Sequence, residues 1–141
     1  MQRHITSAMT LVEFLSSLII VVVLIGIAIP TYYHYRHKAF YSEIVSMAEE
    51  YQSPVEDCIK QHPQEFSACS AGKNTIPDNM TDGPGQVESV TVENGVITVT
   101  PKPHHGIKAT DTYILTPKVS NDKITWKASG GGCKSGFAQG C

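Results

Sequence analysis

Apolar residues crowd into one stretch of this chain. Between Met9 and Ile29 the strongly polar interruptions are Thr10, Glu13, Ser16 and Ser17, and the run Leu18–Ile29 (LIIVVVLIGIAI) is unbroken. A helix rises about 1.5 Å per residue, so Met9–Pro30 extends roughly 30 Å, one hydrocarbon thickness. Beyond Pro30 the apolar positions take helical spacing: Phe40, Ile44, Met47 or Ala48, Tyr51, Val55 and Ile59. Steps of three and four mark one face of an amphipathic helix, and such a stripe normally packs on its own domain. The stem therefore continues into a head domain and supplies one side of its core. Ser53-Pro54-Val55-Glu56 carries a restart signal, with Ser53 to cap, Pro54 suited to a first turn and Glu56 to complete a capping box. It predicts a kink or a short second helix.

Residues 61–86 are dense in Gly, Pro, Asn, Asp and Ser, the composition of a long surface loop. A loop of that length in a compact domain is functional or pinned. Alternation then takes over. Val87–Glu93 and Val96–Thr100 flank Asn94-Gly95, the strongest short hairpin signal, and a type I′ turn there sets Val92 opposite Ile97 and Val90 opposite Val99. Those four share one face, with Thr91 and Thr98 on the other. Two further strands are predicted near Thr112–Val119 and Lys123–Ser129, turning at Asn121-Asp122, with Ile124 and Trp126 together on a core face. The expected fold is α+β: one long helix against an antiparallel sheet of about four strands.

Composition adds the compartment. All four cysteines (Cys58, Cys69, Cys133, Cys141) lie beyond the apolar stretch, and an even number in a small domain points to disulfides in an oxidising compartment. Four cysteines permit three pairings; Cys58–Cys69 and Cys133–Cys141 are favoured because both are local. The 141 residues suffice for one modest core. A net charge of −2 with no basic run gives no reason to propose strong nucleic-acid binding, and argues only weakly against DNA binding.

A cleaved secretory signal is the rival explanation of the apolar stretch. It requires a shorter apolar core followed by a small-residue cleavage site, whereas here Pro30-Thr31-Tyr32-Tyr33 follows. A retained membrane span fits better. Arg36 and Lys38 after the span, against Arg3 before it, slightly oppose a cytoplasmic N-terminus, but the cysteines place the head in the oxidising compartment. His34, Arg36, His37 and Lys38 are then expected at lipid headgroup level.

Glu13 is the most informative residue. An ionised carboxylate inside a membrane helix costs several kcal/mol, about 3 at the centre. Its surroundings read Ala8-Met9-Thr10-Leu11-Val12-Glu13-Phe14-Leu15. A cut between Ala8 and Met9 would free an α-amino group four residues before Glu13. A buried amine and a buried carboxylate are each costly alone and tolerable as a pair. In a bundle of staggered helices that pair can form from chain to chain, which makes Glu13 a registration device.

The segment resembles the processing site of type IV prepilins: a short polar leader, a small residue, a cut, then an apolar residue, Thr, Leu, an aliphatic and Glu. Pro30, Tyr32 and Tyr35 also stand at pilin-like spacings from the glutamate. Ala8 stands where pilins usually have Gly, and Met9 where they commonly have Phe. The resemblance implies that a prepilin peptidase removes the leader, residues 1–8, and methylates the amino group of Met9. It implies a membrane and fibre-core helix over 9–30, an amphipathic continuation over 31–60, a helix-to-sheet loop over 61–86, a sheet over 87–129 and a C-terminal disulfide loop over 130–141. Thr10, Leu11, Glu13 and Pro30 are the implied assembly residues. The implied partners are further copies of the chain, the peptidase, the inner-membrane assembly platform and, before assembly, the membrane itself. The precursor would sit in the inner membrane with its head in the periplasm, and the product would be an extracellular fibre for adhesion, twitching or DNA uptake. Gly26 and Pro30, four residues apart, make the most meltable part of the stem, expected to loosen as the subunit leaves the bilayer.

No enzyme is expected. There is no nucleophile motif, no phosphate-binding loop and no carboxylate pair placed for acid–base work, and no cofactor or metal is implied. Adjacent His104-His105 suits a turn better than a metal site, and Asn79-Met80-Thr81 has the shape of a sequon. The alternatives are a minor pilin, a type II secretion pseudopilin, and a monomeric membrane-tethered binding domain, which would leave Glu13 and its context unexplained.

Overall fold

The computed structural model describes residues 10–141. Their elements are helix α1 (Leu11–Gln61), a 3-10 turn (Phe66–Ala68), strands β1 (Met80–Thr81), β2 (Val87–Glu93), β3 (Val96–Pro101), β4 (Tyr113–Ser120) and β5 (Lys123–Ser129), and a short helix α2 (Gly131–Lys134). The chain divides into two units at Tyr35/Arg36, so that α1 contributes to both.

In the unit beginning at Arg36, the helix lays Tyr41, Ile44, Ala48, Tyr51, Val55, Cys58 and Ile59 into the core. The stripe is the expected one with one correction at its start. Tyr41 is fully buried, while Phe40 and Met47 only flank the core. Tyr41 can be buried because its hydroxyl donates to the Asp111 carbonyl at 2.8 Å, removing the cost of an orphaned phenol. No second helix starts at Ser53. Helix α1 runs unbroken through Pro54, since Tyr51, Val55, Cys58 and Ile59 are anchored on both sides of the proline and hold the helical path despite one missing donor.

The sheet is an antiparallel meander in the order β1-β2-β3-β4-β5. The hairpin register is as expected, Val92 opposite Ile97 and Val90 opposite Val99, with all four side chains buried. Asn94 and Gly95 both have positive φ (49° and 80°), as a type I′ turn demands. Asn121 and Asp122 make the second such turn at φ 51° and 58°. A bulge between Val87 and Ser89 changes the parity of β2, so Val87 joins Val90 in the core although the two are three positions apart. The sheet has five strands rather than four because β1, two residues long, pairs Met80 with Val90. So short a strand leaves no alternation to read. Ile124 and Trp126 pack on the core only partly, as β5 is an edge strand; the indole N–H of Trp126 donates to Glu56 at 2.6 Å.

Both local disulfides are present, Cys58–Cys69 and Cys133–Cys141. The first lies in the core and ties the end of α1 to the loop. Around it Ala71 donates its N–H to Val92 (3.0 Å), Gly95 donates to the Cys69 carbonyl (2.8 Å), and Val92 donates to the side-chain oxygen of Asn79 (3.1 Å). The long loop is thus sewn to the first hairpin. Replacing Cys58 and Cys69 together by serine should cost about 2–3 kcal/mol, the loop-closure value for a bridge of this span. A thermal melt of the full chain in detergent checks it; an unchanged midpoint would mean the backbone bonds alone pin the loop.

Candidate functional site

Residues 10–35 belong to the other unit, and their surface is dominated by large apolar side chains. Fourteen large apolar side chains between Leu11 and Ile29 are each at least 47% exposed. Each fully buried side chain of this kind is worth about 1.5–3 kcal/mol, so the segment leaves on the order of tens of kcal/mol of burial unrealised. An 18-residue window here reaches a mean hydropathy of 2.8, and the helix is long and apolar enough to cross a membrane. Such a surface needs lipid or other helices around it.

Sequence order alone does not convey how the polar atoms within it are handled. The first turn opens at Thr10, whose carbonyl accepts from the Phe14 N–H (3.0 Å) and whose hydroxyl accepts from the Glu13 N–H (3.3 Å). Thr10 is therefore the helix cap, and Glu13 stands at its third position, where a carboxylate is favoured by the helix dipole. Thr10-Leu11-Val12-Glu13 has capping-box spacing, a signal that would have found this role. Ser16 and Ser17 return their hydroxyls to the Glu13 carbonyl at 2.9 and 2.8 Å. Their polar atoms are absorbed within the helix, as an apolar environment requires. The Glu13 side chain itself is exposed.

Leu11 is among the most exposed of the apolar positions, at 77%. Pro30 lies inside α1, where it has no N–H for the carbonyl of Gly26, and Thr31 turns its hydroxyl back to the Ile27 carbonyl at 3.2 Å. Tyr32 and Tyr33 meet edge to face with centroids 6.4 Å apart. The expected cleavage and methylation site at Ala8 and Met9 lies outside the described residues.

In the second unit the C-terminal loop closes on the core. Phe137 and Ala138 donate their N–H groups to the Gly132 carbonyl (3.0 and 3.3 Å), and the Phe137 ring packs 5.9 Å from Tyr41 and 5.3 Å from His37. His104 and His105 lie in the turn between β3 and β4, where the His105 ring stacks on Phe40 at 4.6 Å.

No family model and no curated protein matches the sequence. Among solved structures, the chain is similar to the solution NMR structure of the major type IV pilin PpdD from enterohemorrhagic Escherichia coli. The TM-score is 0.53 at 24% sequence identity, over 68% of this chain and 70% of that one. The long N-terminal helix, the antiparallel meander against its second half and the disulfide-closed C-terminus together are the type IV pilin fold.

Proposed function

We propose that this chain is a structural subunit of a type IV pilus, polymerising through its N-terminal helix into an extracellular fibre. The observation that carries the proposal is the exposed apolar helix from Leu11 to Ile29 with a single carboxylate, Glu13, in its first turn. The pilin fold of the chain supports it. Before assembly the helix lies in the inner membrane with the head in the periplasm. A prepilin peptidase removes residues 1–8 and methylates the new amino group of Met9, and the assembly platform adds the subunit to the fibre base. There the amine of the incoming chain pairs with the unmatched Glu13 of the one before it, while the apolar side chains exchange lipid for neighbouring stems. Leu11 supplies contact area, Thr10 keeps the start of the helix closed, and Gly26 to Pro30 is where the helix loosens to fit the fibre.

N-terminal sequencing of fibres sheared from cells is the test. Chains beginning at Met9, with a methylated amine by mass, are expected; fibres built from chains beginning at Met1 would overturn the proposal.

A further inference from the structure

Immediately past the apolar segment, the head gathers basic and aromatic side chains from two distant parts of the sequence. Arg36, His37 and Phe40 come from α1; His104, His105 and Gly106 come from the β3–β4 turn. The His105 ring lies flat on Phe40, with centroids 4.6 Å apart and planes within 4°, and the Arg36 guanidinium stands 5.6 Å from the centre of the same Phe40 ring. His104 packs edge-on against His105 at 4.0 Å. His37 reaches the turn from the helix side: a Cβ at Gly106 would lie 2.6 Å from its Nε2, and the turn's φ of 84° there is one that glycine adopts without strain.

We propose that Arg36, His37, His104 and His105 form a docking edge for the phosphates of anionic lipid headgroups, engaged by the membrane-held precursor and strengthened as the pH falls. The proposal rests on the membrane-span reading of α1. Charge complementarity and position in the chain choose the occupant. The groups acting electrostatically on His105 are His104, Arg36 and His37, all of one sign. The acid of the same turn, Asp111, is committed elsewhere: its carboxylate accepts from the Lys108 N–H and the Ser135 hydroxyl, both at 2.8 Å. Phe137, which closes His37 from the C-terminal side, carries no charge. The edge also begins at Arg36, directly after the tyrosines that end the apolar segment, where interfacial residues belong.

The pH dependence follows from the stacking. Cover by the Phe40 ring and the neighbouring positive charges hold His105 below its ordinary value of 6.5, so it is neutral in the undocked head at neutral pH. An anionic surface draws protons back. Docking thus takes up protons, and affinity rises as the pH falls through the docked pKa, becoming fully developed below the undocked one.

The test is a histidine side-chain NMR titration of the full chain in nanodiscs of phosphatidylcholine, with and without phosphatidylglycerol. A surface potential of about −30 to −50 mV raises a headgroup-level histidine by about half to one pH unit. That rise is expected for His105 in the anionic discs, with side-chain chemical-shift changes at His37 and His104 beside it. His62 serves as an internal control, since it follows the last residue of α1, roughly 37 Å from His37 at about 1.5 Å per residue and far outside a Debye length of about 8–10 Å. Chemical-shift changes confined to His34 would overturn the docking edge and leave the span intact, whereas none at His34 would remove the span and the proposal with it. Changes at all five, His62 included, would reduce the effect to a general response and overturn the edge. Inorganic phosphate added to the neutral discs should not reproduce the shift. If it does, the residues bind free phosphate and the lipid assignment fails.

Discussion

Glu13→Val is expected to leave the chain in the membrane and to stop it from polymerising. Valine makes the span more apolar, so the precursor should accumulate at least as well as the parent. On the proposed function, what is lost is the partner for the amine of the next subunit. Removing one member of a buried charge pair costs about 3–5 kcal/mol, because the other is left uncompensated. That corresponds to an addition step weaker by roughly 10² to just under 10⁴-fold, and sheared fibres should be undetectable while the membrane-bound pool stays constant. Glu13→Gln separates registration from helix capping. The backbone bond from the residue 13 N–H to Thr10 survives in both variants, but glutamine also keeps the length and polar end of a capping-box side chain while removing the charge, so assembly should fail as with valine if charge pairing is what matters. Fibres at parental yield from either variant would sink the registration role.

Tyr41→Ala is the change expected to damage the head most. This residue is fully buried, meets Tyr113 and Phe137 at 6.4 and 5.9 Å, and gives its hydroxyl to the Asp111 carbonyl. Truncation of a buried aromatic costs about 3–5 kcal/mol, which for a head of this size lowers the melting midpoint by roughly 15–30 °C. Tyr41→Phe, which loses only the hydrogen bond and strands the carbonyl, should cost about 1–2 kcal/mol. The same phenol makes the fold sensitive to alkali. Burial, and then the Asp111 charge, push the Tyr41 phenol well above its ordinary value of 10, and burial raises Tyr51 and Tyr113 in the same direction. The folded state therefore keeps protons that the unfolded chain releases. The stability these tyrosines contribute is fully present below their ordinary value of 10 and is lost as the pH rises through the folded values. Melting curves of the full chain between pH 8 and 11 should show this decline, and it should be shallower in Tyr41→Phe.

The amphipathic stripe and the first hairpin were legible in the residues because both are local periodicities. Helical steps from Ile44 to Ile59 and strict alternation around Asn94-Gly95 need no knowledge of distant partners. The favoured cysteine pairs were accessible for the same reason, since each spans a short loop. The strand β1 and the burial of Val87 were not. A two-residue strand exists only because Val90 is already in place to pair with it, and the bulge that turns Val87 inward is a property of the β2–β3 register.

The candidate assembly segment divides the same way. Its composition, the lone Glu13, and the Gly26–Pro30 spacing belong to the sequence by itself, because a long apolar helix is dictated by solvent preference alone. Only the folded structure decided that Tyr41, not Phe40, enters the core, since that choice depends on an acceptor 70 residues away at Asp111. It also decided that Phe40 stays at the surface to be stacked by His105. Two ordinary histidines of the β3–β4 turn thereby join Arg36 and His37 on one edge, a meeting across long chain separation that no local pattern encodes.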